Sequence, residues 1–209
     1  MLSHFPLPAG FVEPCIPTFS RTVPDGPRWA YEIKHDGFRF ICRGDGDRVR
    51  VFSRWGKDWS DKVPAIVDAL AALPVKSATL DGEGVVVDQL GLTDFERLRS
   101  ELAGRGGSRA VFLYAFDLIA LDGEDMRRHP WETRRATLVG LLRKAATGIR
   151  LSEHLDATDG ATVFQHACRM GLEGIVAKRV DRPYRSGRSP DWLKIKNPDA
   201  PAASREFER

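Results

Sequence analysis

Hydrophobic and polar residues alternate over 29–34, the period of a strand with one covered face, and 38–43 and 48–53 are the next strand candidates. Gly44-Asp45-Gly46-Asp47 separates the second and third of these runs and predicts a hairpin turn. Over 61–73 the period changes: Val63, Ile66, Val67 and Leu70 recur on one helical face, and Pro74 marks the stop. The β-branched run Val85, Val86 and Val87 predicts a buried strand over 78–88. A second helix is expected over 93–103, capped by Thr93 and closed by Gly104. The apolar, aromatic stretch 110–121 predicts a central strand. Helices follow over 133–144 and 158–170, the latter opened by Thr158 or Asp159 and ended at Gly171, and short strands over 174–179 and 192–196. Strands and helices interleave with hairpins among them, which predicts an α+β domain built on antiparallel sheets.

Six prolines (Pro6, Pro8, Pro14, Pro17, Pro24 and Pro27) make residues 1–28 an extended wrap or loop packed on the domain. The domain proper is expected over 29–198, and 199–209 as a flexible tail. Composition adds little to this: 209 residues, 42% hydrophobic and 29% charged, describe a globular chain able to bury a core. The three cysteines show no CxxC spacing, so neither a disulfide framework nor a zinc site is indicated. No signal peptide and no membrane-length apolar run are seen, which places the protein in the cytoplasm with no membrane partner. The net charge of +3 is small, but Lys178, Arg179, Arg182, Arg185, Arg188, Lys194 and Lys196 fall close together, a cluster able to meet a polyanion.

The chemistry begins at Glu32-Ile33-Lys34-His35-Asp36-Gly37-Phe38-Arg39. Lys34 stands where a strand ends and a glycine-containing turn begins, a place where backbone can approach a ligand closely. A lysine attacks only in its deprotonated form. The bland alternative is a solvated strand-end lysine. Lys194 and Lys196 alternate on a strand and share a face, suited to clamping a phosphate or simply lying in water. Glu83 lies where a buried strand begins and needs a partner, either a cation in the site or one of the many arginines.

The octapeptide matches the KxDGxR signature of the covalent nucleotidyltransferases, which comprise DNA ligases, RNA ligases and mRNA capping enzymes. Further motifs of that family follow in order. Phe52-Ser53-Arg54-Trp55-Gly56 resembles the second, Leu80-Asp81-Gly82-Glu83 the third, and Phe116-Asp117-Leu118 the aromatic motif after it. Glu173-Gly174-Ile175-Val176-Ala177-Lys178 resembles the fourth and Trp192-Leu193-Lys194-Ile195-Lys196 the fifth. Any one is weak; the ordered set, running from about Trp29 to Asn197, is specific. The strings EIKHDGFR, FDLIALDG, EGIVAKR and WLKIK are similar to those of bacterial ATP-dependent DNA ligases, including the ligase domains of end-joining proteins.

The resemblance implies two antiparallel sheets flanked by helices, an ATP-grasp-like covalent nucleotidyltransferase fold with the ATP cleft between the sheets. It implies that Lys34 takes AMP from ATP and passes it to a 5′-phosphate at a nick in double-stranded DNA. Glu32 and Ile33 are expected along the adenine edge, Phe116 on one of its faces and Val176 or Ile175 on the other, and Arg39 and Arg54 at the ribose. Lys178, Lys194 and Lys196 are expected at the α-phosphate. Glu83 and Glu173 are the expected carboxylates for Mg²⁺, for which Mn²⁺ can substitute. Asp36 either joins them or caps the turn after Lys34. Arg54, Arg182, Arg185 and Arg188 are candidate contacts to DNA phosphates. For Phe116 the plain alternative is core, and for the arginines a solvated loop. The sequence reaches the fifth motif without the OB-fold and sixth motif of the family, so sealing is expected to need an OB-fold domain or another repair protein in trans. An RNA ligase or capping-type enzyme, and a non-catalytic nucleotide- or DNA-binding module, are the competing readings. Oligomeric state is not legible.

Overall fold

A computed structural model describes residues 10–143, 145–155 and 159–200, and among these residues the chain forms fifteen α-helices and strands. In order they are β1 (Cys15–Phe19), β2 (Trp29–Ile33), β3 (Phe38–Asp45), β4 (Arg48–Ser53), α1 (Pro64–Ala71), β5 (Ser77–Val85), α2 (Phe95–Ala103), β6 (Phe112–Leu121), β7 (Glu124–Asp125), α3 (Trp131–Leu142), β8 (Ile149–Leu151), β9 (His154–Leu155), α4 (Gly160–Arg169), β10 (Gly174–Arg179) and β11 (Gly187–Lys196). The strands form two sheets. One has the order β1-β11-β10-β2-β9; the other runs β4-β3-β5-β6-β7, with β8 also paired to β6.

The α+β, two-sheet expectation holds, with two refinements. β1 joins β11 in parallel, as β8 joins β6. β1 comes from the proline-rich lead-in and lies at a sheet edge, where Pro17 needs no ladder N–H. The register between β1 and β11 slips after Pro17, leaving Pro190 without a cross-strand partner there. The lead-in is therefore a wrap that also extends the sheet.

Element ends moved for local reasons. The α1 helix starts at Pro64, whose missing N–H costs nothing in a first turn. The residues just before it, Ser60–Lys62, form a separate 3-10 turn. Asp94 rather than Thr93 caps α2, accepting from the Arg97 N–H at 2.9 Å. Asp159 caps α4, while Thr158 lies outside the described residues, as does Lys144 at the expected end of α3. The β3–β4 hairpin closes Asp45 on Arg48, with Gly46 at φ +56.

The main core lies on the outer face of the β4-β3-β5-β6 sheet. Phe40, Leu80, Leu113 and Leu118 are sealed there against Ile66 and Leu70 of α1, Leu98 of α2 and Leu138 of α3. Each such side chain contributes about 1.5–3 kcal/mol of burial free energy. The outer face of the other sheet is covered by Val163 and Ala167 of α4, packed on Tyr31, Ile175, Ala177 and Ile195. Both sheets thus have their outer faces buried in apolar contact. Their inner faces carry polar residues beside a smaller apolar cluster that includes Ala30, Ile41, Phe116, Ile119 and Trp192.

Candidate active site

The inner face of the five-stranded sheet follows from strand alternation. Lys34 follows β2 and its N–H donates to the Gly174 carbonyl at 3.0 Å; Gly174 in turn pairs with Lys196. One row along, Glu32, Val176 and Lys194 lie side by side across β2, β10 and β11. The next row holds Ala30, Lys178 and Trp192. Residues directly opposite in an antiparallel pair share a face. Lys34, Glu32, Val176, Lys178, Lys194 and Lys196 are therefore brought onto one surface, opposite to the face α4 covers. Ile33, expected along the adenine edge, points the other way and packs against the α4 cluster, leaving only its backbone near the site.

Lys34 Nζ meets Glu173 Oε2 at 2.5 Å, 139 residues away in sequence. Glu173 is buried at the mouth of β10 and held by the φ +136 of Gly174 and by the Asn197 N–H, which donates to its carbonyl. Gly37, after the lysine, has its Cα against the β5 backbone and the Glu83 side chain, where a Cβ would collide. This presses the second sheet against the nucleophile's turn. Lys194 is half-buried. Burial, then the charges of Lys34, Lys196, Arg54 and Arg188, push its ammonium below the ordinary lysine value. The result is a concentration of cations at one end of the strands.

The second sheet contributes the row Arg39, Glu83 and Tyr114. Burial, opposed by Arg39 and Lys34 and aided by Glu173 and Asp81, brings the Glu83 carboxyl up to about 7. Arg39 is locked bidentately onto Asp81, at 2.5 and 2.7 Å. Burial disfavours its charge, but Asp81 outweighs that and holds the guanidinium firmly protonated. Asp81 is completely buried and also accepts from Tyr184 Oη at 2.5 Å, whose oxygen accepts from the Cys15 N–H at 2.8 Å. Sequence reasoning passed over both Asp81 and Tyr184. Strand alternation alone puts Asp81 on the Glu83 face, and a lone aromatic in a basic loop is a packing signal.

Phe116 sits where β6 bulges: Asp81 pairs with Asp117 and Gly82 with Ala115, so Phe116 has no opposite residue and turns inward. It is 7% exposed, with the Arg39 guanidinium 4.4 Å and the Lys178 ammonium 4.3 Å from its ring centroid. Lys178 also reaches Glu32 Oε2 at 2.8 Å in a buried pair. The other Glu32 oxygen, Oε1, is buried without a hydrogen-bond partner. Arg54 is half-buried; burial, then Arg39 and Arg188, lower its pKa, against Glu83. Asp36 lies on the turn after the nucleophile, partly buried. Arg182 and Arg185 are exposed on the segment leading into β11 and Arg188 near its start, with Arg182 flanked by Asp181 and Asp191 at 3.9 and 3.8 Å.

His35, read as incidental, lies flat on Tyr114, the ring centroids 4.1 Å apart. Its Nε2 is 3.3 Å from Ser152 Oγ. Burial, with Lys34 and Lys178 nearby, lowers its pKa to about 4, so the ring beside the nucleophile is neutral.

Comparison with known proteins agrees with this geometry. The model of the ATP dependent DNA ligase domain matches residues 16–196. The chain is 39% identical over 183 residues to the multifunctional non-homologous end joining protein LigD of Pseudomonas aeruginosa, covering 86% of this chain and 22% of that protein. A probable DNA ligase of Beutenbergia cavernae is 35% identical over 174 residues, covering 79% of this chain and 33% of that one. The chain thus spans between a fifth and a third of the length of these relatives. Among solved structures, a mycobacterial DNA ligase D complexed with ATP and MES superposes with a TM-score of 0.75 at 32% identity, over 88% of this chain and 59% of that one. A Chlorella virus DNA ligase-adenylate, at 18% identity and a TM-score of 0.64 over 90% of this chain and 69% of its own, shares the fold. With its motifs in order, its Lys34 turn pressed between two sheets and a family match over most of its length, the chain belongs to the ATP-dependent DNA ligase domain family and carries its adenylation (nucleotidyltransferase) fold.

Proposed function

We propose that Lys34 attacks the α-phosphate of ATP, forming an Nζ–phosphorus bond and releasing pyrophosphate, and that the AMP is then passed to a 5′-phosphate at a nick in duplex DNA for strand joining. The observation that carries this is the contact of Lys34 Nζ with the Glu173 carboxylate on a face shared with Lys194 and Lys196. Glu173 holds the proton that Lys34 must lose to attack. Lys194 and Lys196 supply fixed positive charge for the non-bridging oxygens as the phosphorus–oxygen bond breaks. Lys178 already neutralises Glu32 and lies farther along the same face.

Base selection falls to Glu32. Its unpartnered buried Oε1 is an acceptor suited to the 6-amino group of adenine and opposed to the 6-oxo group of guanine. Val176, partly exposed in the same row, provides an apolar floor. Stacking of adenine on Phe116 requires the Arg39 or Lys178 cation to leave that ring, and Arg39 turns toward the ribose only if its hold on Asp81 gives way. Arg54, beside Glu83, is placed between ribose and DNA phosphate.

Glu83 and Glu173 fit a divalent cation. The charge of Glu173 raises the proton affinity of Glu83 across the site, a repulsion that such a cation offsets. Among the described residues no cluster of three ligating side chains occurs, so the remaining ligands would come from the triphosphate, as Mg²⁺ prefers. When bound, the cation neutralises charge on the phosphate oxygens. Asp36 either adds a carboxylate or steadies the turn.

Arg182, Arg185 and Arg188 give sequence-independent grip on DNA phosphates. An OB-fold domain or another repair protein completes closure on DNA. Among the described residues no helix is long and apolar enough to cross a membrane, which accords with a cytoplasmic repair ligase.

The test is the intact mass of the protein before and after ATP with Mg²⁺, beside Lys34→Ala. A gain of one AMP in the unmodified chain alone is expected, with GTP giving none. ATP binding with no covalent product, or AMP uptake by Lys34→Ala, overturns the reading. Nicked DNA and nicked RNA, offered with an OB-fold domain in trans, then decide the acceptor.

A further inference from the structure

We infer that Trp55 is a DNA-contacting side chain, packing its indole against a nucleotide of the nicked strand beside the phosphate that Arg54 holds. The inference rests on nicked duplex as the acceptor and adds the residue that seats it.

Trp55 is 76% exposed, unusual for so large an apolar side chain. It is not loosely placed. The Ser53 N–H donates to the Lys57 carbonyl at 2.8 Å and the Gly56 N–H to the Ser53 carbonyl at 2.9 Å, closing a tight turn with Trp55 at its tip. Lys57 N–H also donates to Ser53 Oγ at 3.2 Å. Gly56, at φ +81, lies on the Phe11 ring, which packs edge-on against Phe52 of β4. The turn is thus braced from beneath by two aromatics and holds the indole out into solvent.

The surroundings name the partner. The Arg54 guanidinium lies 4.8 Å from the centre of the Trp55 ring. Arg54 also feels the charges of Glu83 and Arg39 in the cleft and of Arg188 on β11, which places it between the nucleotide site and the exposed basic segment. Lys57, next but one in the turn, is exposed as well. Asp58 is already engaged by Arg50 at 2.5 Å and by Ser60. An aromatic plane standing among cations complements a nucleotide strand, whose phosphates meet the cations and whose bases and sugars offer flat faces. A protein partner would meet desolvation of the same cations with nothing in return unless it were acidic.

The experiment is the affinity of the full chain for a nicked duplex across a series of salt concentrations, for wild type, Trp55→Ala, Trp55→Phe, and Arg188→Ala, with AMP uptake read by intact mass on the same samples. Trp55→Ala is expected to weaken binding about tenfold, with an unchanged slope of log affinity on log salt. Trp55→Phe should recover most of the loss. Arg188→Ala should reduce the slope instead. Wild-type affinity in Trp55→Ala, or wild type that binds no nicked duplex, overturns the inference. Loss of AMP uptake in wild type would sink the lysyl-AMP reading alone, because the binding series needs no covalent step.

Discussion

Lys178 Nζ and Glu32 Oε2 stand 2.8 Å apart on neighbouring strands, with side chains 2% and 3% exposed. Burial pushes the Glu32 carboxyl up and the Lys178 ammonium down, each against the attraction of the other. Desolvation therefore consumes what the pair gains, as is usual for buried ions. Removing one partner strands the other. Lys178→Met should cost about 3–5 kcal/mol, while Glu32→Leu with Lys178→Met should regain most of that stability and still lose nucleotide selectivity. Urea unfolding of the single and double variants measures this. A double variant as unstable as the single one would mean the pair is not the source of the loss.

His35 sets an acid limit. Its pKa falls from 6.5 unfolded to about 4 folded. A depressed value means the unfolded chain binds more protons between those two pH values, so stability rises with pH there. The contribution is full above pH 6.5 and is lost as pH falls through about 4. At about 1.36 kcal/mol per pH unit, it is bounded near about 3 kcal/mol. His35→Phe, which keeps an aromatic plane against Tyr114, should flatten thermal stability between pH 6.5 and 4. A variant with the wild-type acid profile would show that other groups carry it.

What the sequence made legible was local. Lys194 and Lys196 alternate, and strand register does place them on one face with Lys34 and Glu32. The Gly46 hairpin and the aromatic strand also fell out of short patterns, whereas the valine run misplaced its strand: β5 ends at Val85, with Val86 and Val87 beyond it and Glu83 near its end rather than its start. Hidden features are those set by distant partners. β1 pairs with a strand more than a hundred residues later, and β8 and β9 are three and two residues long, too short for any period to emerge. Lys34 and Glu173 meet beside Gly174, which at φ +136 packs closely on Ile195 and Lys196 and accepts from the Lys34 N–H. The bulge that turns Phe116 inward depends on mismatch with β5, invisible in β6 alone. Asp81 reads as part of a motif, but its hold on Arg39 and Tyr184 needs the folded sheet.

Arg134 joins the aromatic strand to the basic segment. Its guanidinium is fully buried on Asp117, at 2.7 and 2.8 Å, and also donates to the carbonyls of His129 and Arg182. Arg134→Met leaves Asp117 charged in a dry site and two carbonyls without that donor. About 3–5 kcal/mol of stability should go, and amides around Arg182 and Tyr184 should exchange faster than those of β5. Uniform exchange across the chain would argue that Arg134 supports the core and not that segment.

Gly174 controls the meeting of nucleophile and carboxylate. At φ +136 it occupies backbone space that side-chain-bearing residues avoid, and an added Cβ would strike the Ile195 carbonyl and crowd Lys196 Cα at 3.0 Å and Asn197 N at 3.1 Å. Gly174→Ala must therefore either push β10 from β11 or rotate the peptide that accepts from Lys34 N–H. Either movement separates Lys34 Nζ from Glu173 and from the Lys194–Lys196 face. Strain of this kind costs about 1–3 kcal/mol, which a stable domain survives. Reactive geometry tolerates less: a displacement near 1 Å can cost about a hundredfold in rate. The initial rate of AMP addition, read by intact mass at saturating ATP, should thus fall by about a hundredfold while most of the protein remains folded by circular dichroism. If the rate falls only in proportion to the folded fraction, the close approach of Lys34 to Glu173 is not what prepares the nucleophile.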